Sequence, residues 1–189
     1  MRIELVNTPG VYKRAYRLIE RFQKRNLLSF KVEIKFNFNS KFLGFVRVDK
    51  HPEDTNIYIN PLNFDENDPV RIGHPEDYSL FSVLIHEYAH LINHKTDLIK
   101  QYRKAGFSNQ HCYLTPQSSD NYDEELADIL CIYIINPYCL GLIDNERFEW
   151  VKERFHSPNQ CSEKRFYTYF HSWDKKTRDR FVKKNNLTK

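Results

Sequence analysis

One segment limits the folds open to this chain more than any other, because residues 79–94 combine a helical apolar pattern with two histidines and a glutamate. His86 and His90 are four positions apart, so their side chains lie on one face of a helix, with Glu87 beside them. Buried histidines need partners, so the pattern predicts two zinc ligands, with Glu87 as general base toward a zinc-bound water. The apolar positions that predict a largely buried helix are Leu80, Phe81, Leu84, Ile85, Tyr88, Leu91 and Ile92.

A third protein ligand is expected downstream, because a catalytic zinc usually has three and keeps a fourth position for water. The metzincin pattern is excluded, since its glycine and its third histidine would stand where this chain has Asn93 and Thr96. The alternative takes a glutamate from a second helix, with an acid or amide one turn later that orients a ligand histidine. Glu124 and Asp128 have that spacing. Glu125 is a competing ligand, but no acid or amide follows it four positions later.

Two segments resemble the ImmA/IrrE-like metallopeptidases of the gluzincin group. Residues 86–94, HEYAHLINH, are similar to that family's HELGHxxLH, and residues 124–137, EELADILCIYIINP, are similar to its ExEANxFAxxLLMP. The resemblance implies a zinc-dependent endopeptidase that cuts a protein substrate, in understood members a regulatory and often DNA-bound protein. The positions at which the chain departs from the two motifs are Tyr88, Ala89, Asn93, Leu126 and Asp128.

The order of the predicted elements favours an α+β, zincin-like fold, as does the resemblance. We expect an N-terminal helix, a small, mostly antiparallel sheet of three to four strands, the HExxH helix, a second metal-ligand helix and a helical C-terminal extension. The HExxH helix should continue past His94 and end before Gly106. The predicted ranges are a helix at 11–28, strands at 31–39, 42–49 and 56–60, and a second metal helix at 123–135.

We expect two parts of the chain: a zincin-like metallopeptidase domain at residues 1–140, and a basic, aromatic-rich helical extension at 141–189 packed on it. An exposed edge strand beside the zinc groove pairs with extended substrate in the family, and 42–48 and 56–60 are the two candidates for it here. The polar connection at 61–78 is either a lid or a plain surface loop.

Four further residues are weaker site candidates. His94 follows His90 by one turn, about 6 Å further along the helix axis, so it is expected outside the ligand set or in the groove. His111, Tyr113 and Tyr122 lie between the two metal helices in the sequence and are candidates for an oxyanion donor.

Charge and cysteine content bear on location and partners. Residues 150–189 hold eleven Lys or Arg against four Asp or Glu, a net +7, whereas residues 1–149 have a net −3. The basic segment suggests proximity to nucleic acid, although a solvated helical face has the same composition. The four cysteines include no CxxC pair, and the longest apolar run, 129–135, is too short to cross a bilayer. We therefore expect a cytoplasmic protein with no membrane span and buried thiols.

Three alternatives to a zinc peptidase with one zinc ion stay open. A zincin fold can retain zinc but act as a binding or inhibitory module, in which case Glu87 is dispensable. A SprT-like DNA-associated protease would suit the basic segment, but that pattern has a third histidine where this chain offers Glu124. A purely structural domain without metal would leave the two paired motifs as coincidence.

Overall fold

A computed structural model describes residues 10–42, 44–47, 53–60, 79–107 and 121–158. Within these ranges the chain is α+β, with six helices and a three-stranded mixed sheet. The α+β class is therefore as expected. In chain order the elements are α1 Gly10–Arg25, β1 Glu33–Phe36, β2 Gly44–Phe45, β3 Asn56–Ile59, α2 Ser79–Thr96, α3 Leu98–Lys104, α4 Tyr122–Ile135, α5 Pro137–Ile143 and α6 Asn145–Lys152.

The first helix packs on the histidine helix through one apolar stripe, which includes the fully buried Ile19 and Phe22. The Phe22 ring meets Tyr88 of α2 edge to face, with centroids 6.2 Å apart. The helix ends at Arg25 rather than at the predicted residue 28, because Leu27 adopts a left-handed backbone with φ 53°. Four turns of amphipathic helix thus cover one side of α2.

The sheet has the order β1-β3-β2, with β1 parallel to β3 and β2 antiparallel to it. The expectation of a mostly antiparallel sheet is wrong for the described strands. After β1 the chain crosses the end of β3, where the Asn60 side chain donates to the carbonyls of Phe38 (3.3 Å) and Ser40 (2.6 Å). This crossing places β2 on the far side of β3, so the central strand is β3.

Burial along β1 departs from the predicted alternation. Val32 is buried and Ile34 is half-buried, but Phe36 and Phe38 on the same predicted face are 45% and 57% exposed. Their rings stack on each other, with centroids 6.0 Å apart. The strand ends at Phe36 and a turn follows, so the chain leaves the core before the apolar pattern ends.

The histidine helix is shorter than predicted, because it breaks at Asp97. This residue has φ 51° and ψ 38°, a left-handed conformation that ends α2 at Thr96 and starts α3 at Leu98. Gly106, with φ 65°, follows the end of α3, so the predicted glycine terminates the second piece rather than the first. The helical pattern of the sequence therefore does not indicate the change of direction of the chain between α2 and α3.

The core lies between α2 and α4, with α1 and the sheet on either side of α2. Helix α4 begins one residue before its predicted start, and the Asn121 side chain accepts a hydrogen bond from the Asp123 backbone N–H (2.9 Å) at its N-terminus. It ends at Ile135, as predicted, and Pro137 opens α5. Cys131 and Cys139 are free and buried.

The proposed division of the chain at residue 140 falls inside α5, which spans residues 137–143. The connection 61–78, most of the basic segment 150–189, His111 and Tyr113 lie outside the described residues, so predictions about them stay predictions. In the parts of the chain that the structure describes, no helix has both the length and the apolar character of a membrane span.

Helix α6 is attached to α4 by a buried ion pair. The Arg147 guanidinium bonds Glu125 Oε1 (2.9 Å), Asp144 Oδ2 (2.7 Å) and the Tyr102 hydroxyl (2.7 Å). The side chains of Arg147 and Glu125 are 1% and 0% exposed. Ions this deeply buried destabilise a fold unless each is compensated, so the two charges depend on each other.

We expect Arg147→Ala to lower the free energy of unfolding by about 3 to 5 kcal/mol, because it leaves the Glu125 carboxylate buried without its cation. Lys152→Ala in the same helix removes an exposed ion pair with Glu149 and should cost about 1 kcal/mol or less. Urea titration of the three proteins measures the difference. Equal decreases of the free energy of unfolding in the two variants would show that the buried ion pair is not a main support of α6.

Candidate metal centre

Three side chains from two helices converge at one point between α2 and α4: His86, His90 and Glu124. The Nε2 atoms of the two histidines are 3.1 Å apart. The Glu124 carboxylate reaches both rings, with Oε2 3.1 Å from His86 Nε2 and Oε1 3.5 Å from His90 Nε2. The histidines are one turn apart on α2 and the glutamate is in the first turn of α4, so the crossing of these helices brings them together.

The other nitrogen of each ring faces a second carboxylate. His86 Nδ1 donates to Asp128 Oδ1 (2.9 Å), and His90 Nδ1 lies 3.3 Å from Asp123 Oδ2. An ionised carboxylate only accepts hydrogen bonds, so we infer that both Nδ1 atoms carry hydrogen. In the neutral rings, the lone pairs of both Nε2 atoms then point into the cluster.

These carboxylates control the protonation of the rings. Burial by itself lowers the pKa of His86, but its hydrogen bonds to Asp128 and Glu124 outweigh burial and raise that pKa to about 9. For His90, the bonds to Asp123 and Glu124 likewise outweigh burial and raise the pKa to about 10. The hydrogen bonds from the two histidines lower the pKa of Glu124. Without a metal, these hydrogen bonds therefore favour the protonated form of each ring over the neutral form.

The donor set fits a zinc ion in number, type and separation. Two imidazole nitrogens and one carboxylate are a common catalytic zinc set, and bonds of about 2.0–2.1 Å in a tetrahedral site place any two ligands roughly 3.3 Å apart. The observed separations of 3.1, 3.1 and 3.5 Å are within a few tenths of an ångström of that value. Two deprotonated Nε2 atoms and a carboxylate at such distances repel one another unless a cation lies between them.

The predicted general base, Glu87, lies beside β2, which is at one edge of the described sheet. It is buried, and a Cβ atom added to Gly44 would lie 3.0 Å from both Cγ and Oε1 of Glu87. The same Cβ would lie 2.5 Å from Val83 Cγ1, closer than carbon atoms approach in proteins. Glycine therefore lets the backbone of β2 approach the face of α2 that carries Glu87.

The competing ligand Glu125 is turned away from the histidines. Its carboxylate pairs with Arg147 of α6, and its side chain leaves α4 about 100° around the helix axis from that of Glu124. It is not part of the group that the structure brings together, whereas Glu124 is.

The weaker candidates are placed as follows. His94 is exposed in the last turn of α2 and is not a member of the cluster. Tyr122 is partly exposed, and its ring lies next to Tyr102 and Arg103 of α3, with the Tyr102 centroid 6.4 Å away. No oxyanion donor is thereby identified among the described residues. Of the two candidate substrate strands, β3 is central in the described sheet and is excluded as an edge, which leaves the strand that contains β2.

Sequence reasoning missed Asp123, the carboxylate beside His90. One signal was available: Asp123 directly precedes Glu124 in the first turn of α4, and helical side chains tilt toward the N-terminus of their helix. The roles of Gly44 and Asn93, which donates a side-chain hydrogen bond to Asp123, had no signal of this kind. Both depend on how separate elements meet.

Comparison of the chain with protein-family models, with curated proteins and with solved structures returned no match. The proposals below therefore depend on the geometry and chemistry of the residues described above.

The pKa values predict opposite pH dependences for the metal-free and zinc-loaded protein. A histidine pKa raised from about 6.5 to about 9 stabilises the metal-free fold below pH 6.5, and that contribution is lost as the pH rises through 9. The rise in the pKa of His86 by itself corresponds to about 3 kcal/mol over this range. Zinc must displace the proton, so its affinity should rise with pH.

Thermal unfolding of chelator-treated and zinc-loaded protein between pH 6 and 9 tests this. We expect the difference between the two melting temperatures to widen as the pH rises. Residues outside the cluster titrate equally in both forms, so their contributions cancel in the difference between the two melting temperatures. A difference that narrows toward pH 9 would mean that the histidines do not exchange protons for the metal.

Proposed function

We propose that the protein is a zinc-dependent endopeptidase whose metal is held by His86, His90 and Glu124. The observation that supports this most directly is the convergence of the two Nε2 atoms and the Glu124 carboxylate at ligand separations. Asp128 and Asp123 would hold the rings in the tautomer that metal binding needs. Neither carboxylate is required as a ligand.

A zinc ion in this position would supply Lewis acidity, lowering the pKa of a water and polarising a peptide carbonyl. The chain's own contribution to proton transfer is Glu87, which follows the first ligand histidine directly on α2. It accepts the proton of the attacking water and later donates it to the nitrogen of the leaving amine. The side chain of Glu87 is buried, which restricts its contact with bulk water.

We assign the alignment of an extended substrate to β2. In the described sheet this strand pairs with β3 on one side only, and its Gly44 lies against Glu87. An extended peptide that adds to the other side of β2 would form main-chain hydrogen bonds next to the general base. Because main-chain bonds do not read side chains, this arrangement favours a peptide or unfolded protein segment as substrate class.

The binding or inhibitory module is the main alternative, and variants of the two acidic residues separate it from a peptidase. We expect Glu87→Gln to retain about one zinc per chain and to lose roughly 100- to 10,000-fold in peptide hydrolysis. Glu124→Ala should lose the metal as well, because one of three ligands is removed. Zinc content by mass spectrometry and cleavage of an internally quenched peptide library measure both properties. If zinc-loaded wild type and Glu87→Gln show the same rate, the peptidase proposal is wrong.

The close approach of β2 gives an independent test. We expect Gly44→Ala to reduce kcat by about 100-fold while zinc content is unchanged, because the added methyl group would clash with Val83 and Glu87 and so shift Glu87 relative to β2. Gly141→Ala in α5 is the matched control, since its Cβ would meet Phe148 at an ordinary contact distance of 3.6 Å. Full activity in Gly44→Ala would contradict the placement of Glu87 against β2.

A further inference from the structure

Asn93 connects the candidate metal centre to the start of the next helix. Its side-chain amide donates to Asp123 Oδ1, and its carbonyl Oδ1 accepts from the backbone N–H of Ile99 at 2.7 Å. Asp123 in turn presents its other oxygen, Oδ2, to His90 Nδ1 at 3.3 Å. A chain of polar contacts therefore runs from the α3 backbone through Asn93 and Asp123 to a predicted zinc ligand.

The orientation of the Asn93 amide follows from its partners. A backbone N–H can only donate, so the oxygen of the amide must face Ile99 and its NH₂ group must face Asp123. Ile99 is the second residue of α3, where a helix has N–H groups without intrahelical partners, and the Asp97 side chain makes no capping bond. Asn93, which belongs to the preceding helix α2, therefore caps the N-terminus of α3.

The left-handed conformation of Asp97 makes this contact achievable. With φ 51°, Asp97 turns the chain sharply between α2 and α3 and directs the first turn of α3 back toward the last turns of α2. The break that shortens the histidine helix thus also brings the Ile99 N–H to Asn93. A straight helix through residues 79–104 would bond this N–H to Lys95 instead.

Asp123 needs such a support. Its side chain is 44% exposed, whereas that of His90 is 9% exposed and Asn93 is buried. A carboxylate so open to water can rotate and bond solvent, and it would then present no fixed acceptor to the ring. The buried amide selects the one rotamer in which Oδ2 faces His90 Nδ1.

We propose that Asn93 is a positioning residue of the zinc site, acting on His90 through Asp123. The inference deepens the proposed function and rests on it, because the ring it orients is a ligand only if the site binds metal. The fixed Asp123 holds the His90 ring with Nε2 toward His86 and Glu124, which reduces the reorganisation that metal binding requires.

The test exchanges the two polar partners. Asn93→Asp keeps the acceptor for the Ile99 N–H but opposes Asp123 with a second carboxylate. Adding Asp123→Asn restores the bond in the reverse direction, with the amide introduced at position 123 as donor and its oxygen toward His90. Thr96→Val is the control, since it removes a hydrogen bond to the Ile92 carbonyl in the same part of α2 without touching Asp123.

We expect Asn93→Asp to weaken zinc affinity about 10- to 100-fold, measured by competition with a chromophoric chelator at one pH, and to change the visible spectrum of the cobalt-substituted protein. The double exchange should recover most of the affinity and the spectrum. Thr96→Val should match wild type in both. If the role of Asn93 were merely structural, zinc affinity would follow thermal stability. Asn93→Asp and Thr96→Val proteins with equal melting temperatures would then bind zinc equally.

Unchanged affinity and spectrum in folded Asn93→Asp would overturn the proposal. If Asn93→Asp alone does not fold, the double variant is compared with Asp123→Asn alone. The proposal is overturned if adding Asn93→Asp to Asp123→Asn gives no gain in zinc affinity. Failure of the proposed function gives different results. If the metal site itself is wrong, wild-type protein binds no zinc; if only the peptidase activity is wrong, wild-type protein binds zinc but hydrolyses peptides no faster than Glu87→Gln.

Discussion

Compensation of buried carboxylates on α4 is the constraint on which the rest of this structure depends. The first half of that helix holds Glu125 with no exposed side-chain surface and Asp128 nearly buried, next to the partly buried Glu124. Unpaired, each buried carboxylate would cost several kcal/mol. The chain supplies Arg147 from α6 for Glu125 and the histidines of α2 for Glu124 and Asp128. Helices α2 and α6 are thus held against α4 by its charges as well as by its apolar surface.

Three acidic residues of α4, Asp123, Glu124 and Asp128, face the two histidines and would do so with or without a metal ion. Without a cation, they raise the pKa of His86 and His90 and keep protons in the cluster. With a cation, Asp128 and Asp123 still accept from the Nδ1 atoms, and only the protons on the Nε2 side have to leave. In the proposed site, protons and zinc would therefore compete for one position, and the surrounding hydrogen bonds would be common to both states.

Side chains outside the motif determine how the motif can act. The backbone of β2 lies against Glu87 because Gly44 has no side chain, and Asp123, the acceptor that faces His90, is itself bonded by Asn93. Each of these contacts joins two elements that are far apart in the sequence. The chemistry that the histidine helix can perform thus depends on a strand, a helix break and a neighbouring helix.

The sequence by itself determined the local part of this protein: the helical period of residues 79–94, the shared face of His86 and His90, and the spacing of Glu124 and Asp128 on a second helix. These follow from 3.6 residues per turn, which any segment of helix obeys without reference to the rest of the chain. The α+β class followed from the order of such segments.

Only the tertiary structure decided the mixed strand order, the break at Asp97, the pairing of Glu125 with Arg147 and the parts taken by Asp123, Asn93 and Gly44. Periodicity predicts which face of a helix or strand is apolar, but it does not predict which other element will cover that face or in what register. Those choices depend on packing and on charge compensation between residues that lie up to tens of positions apart, and no local pattern records them.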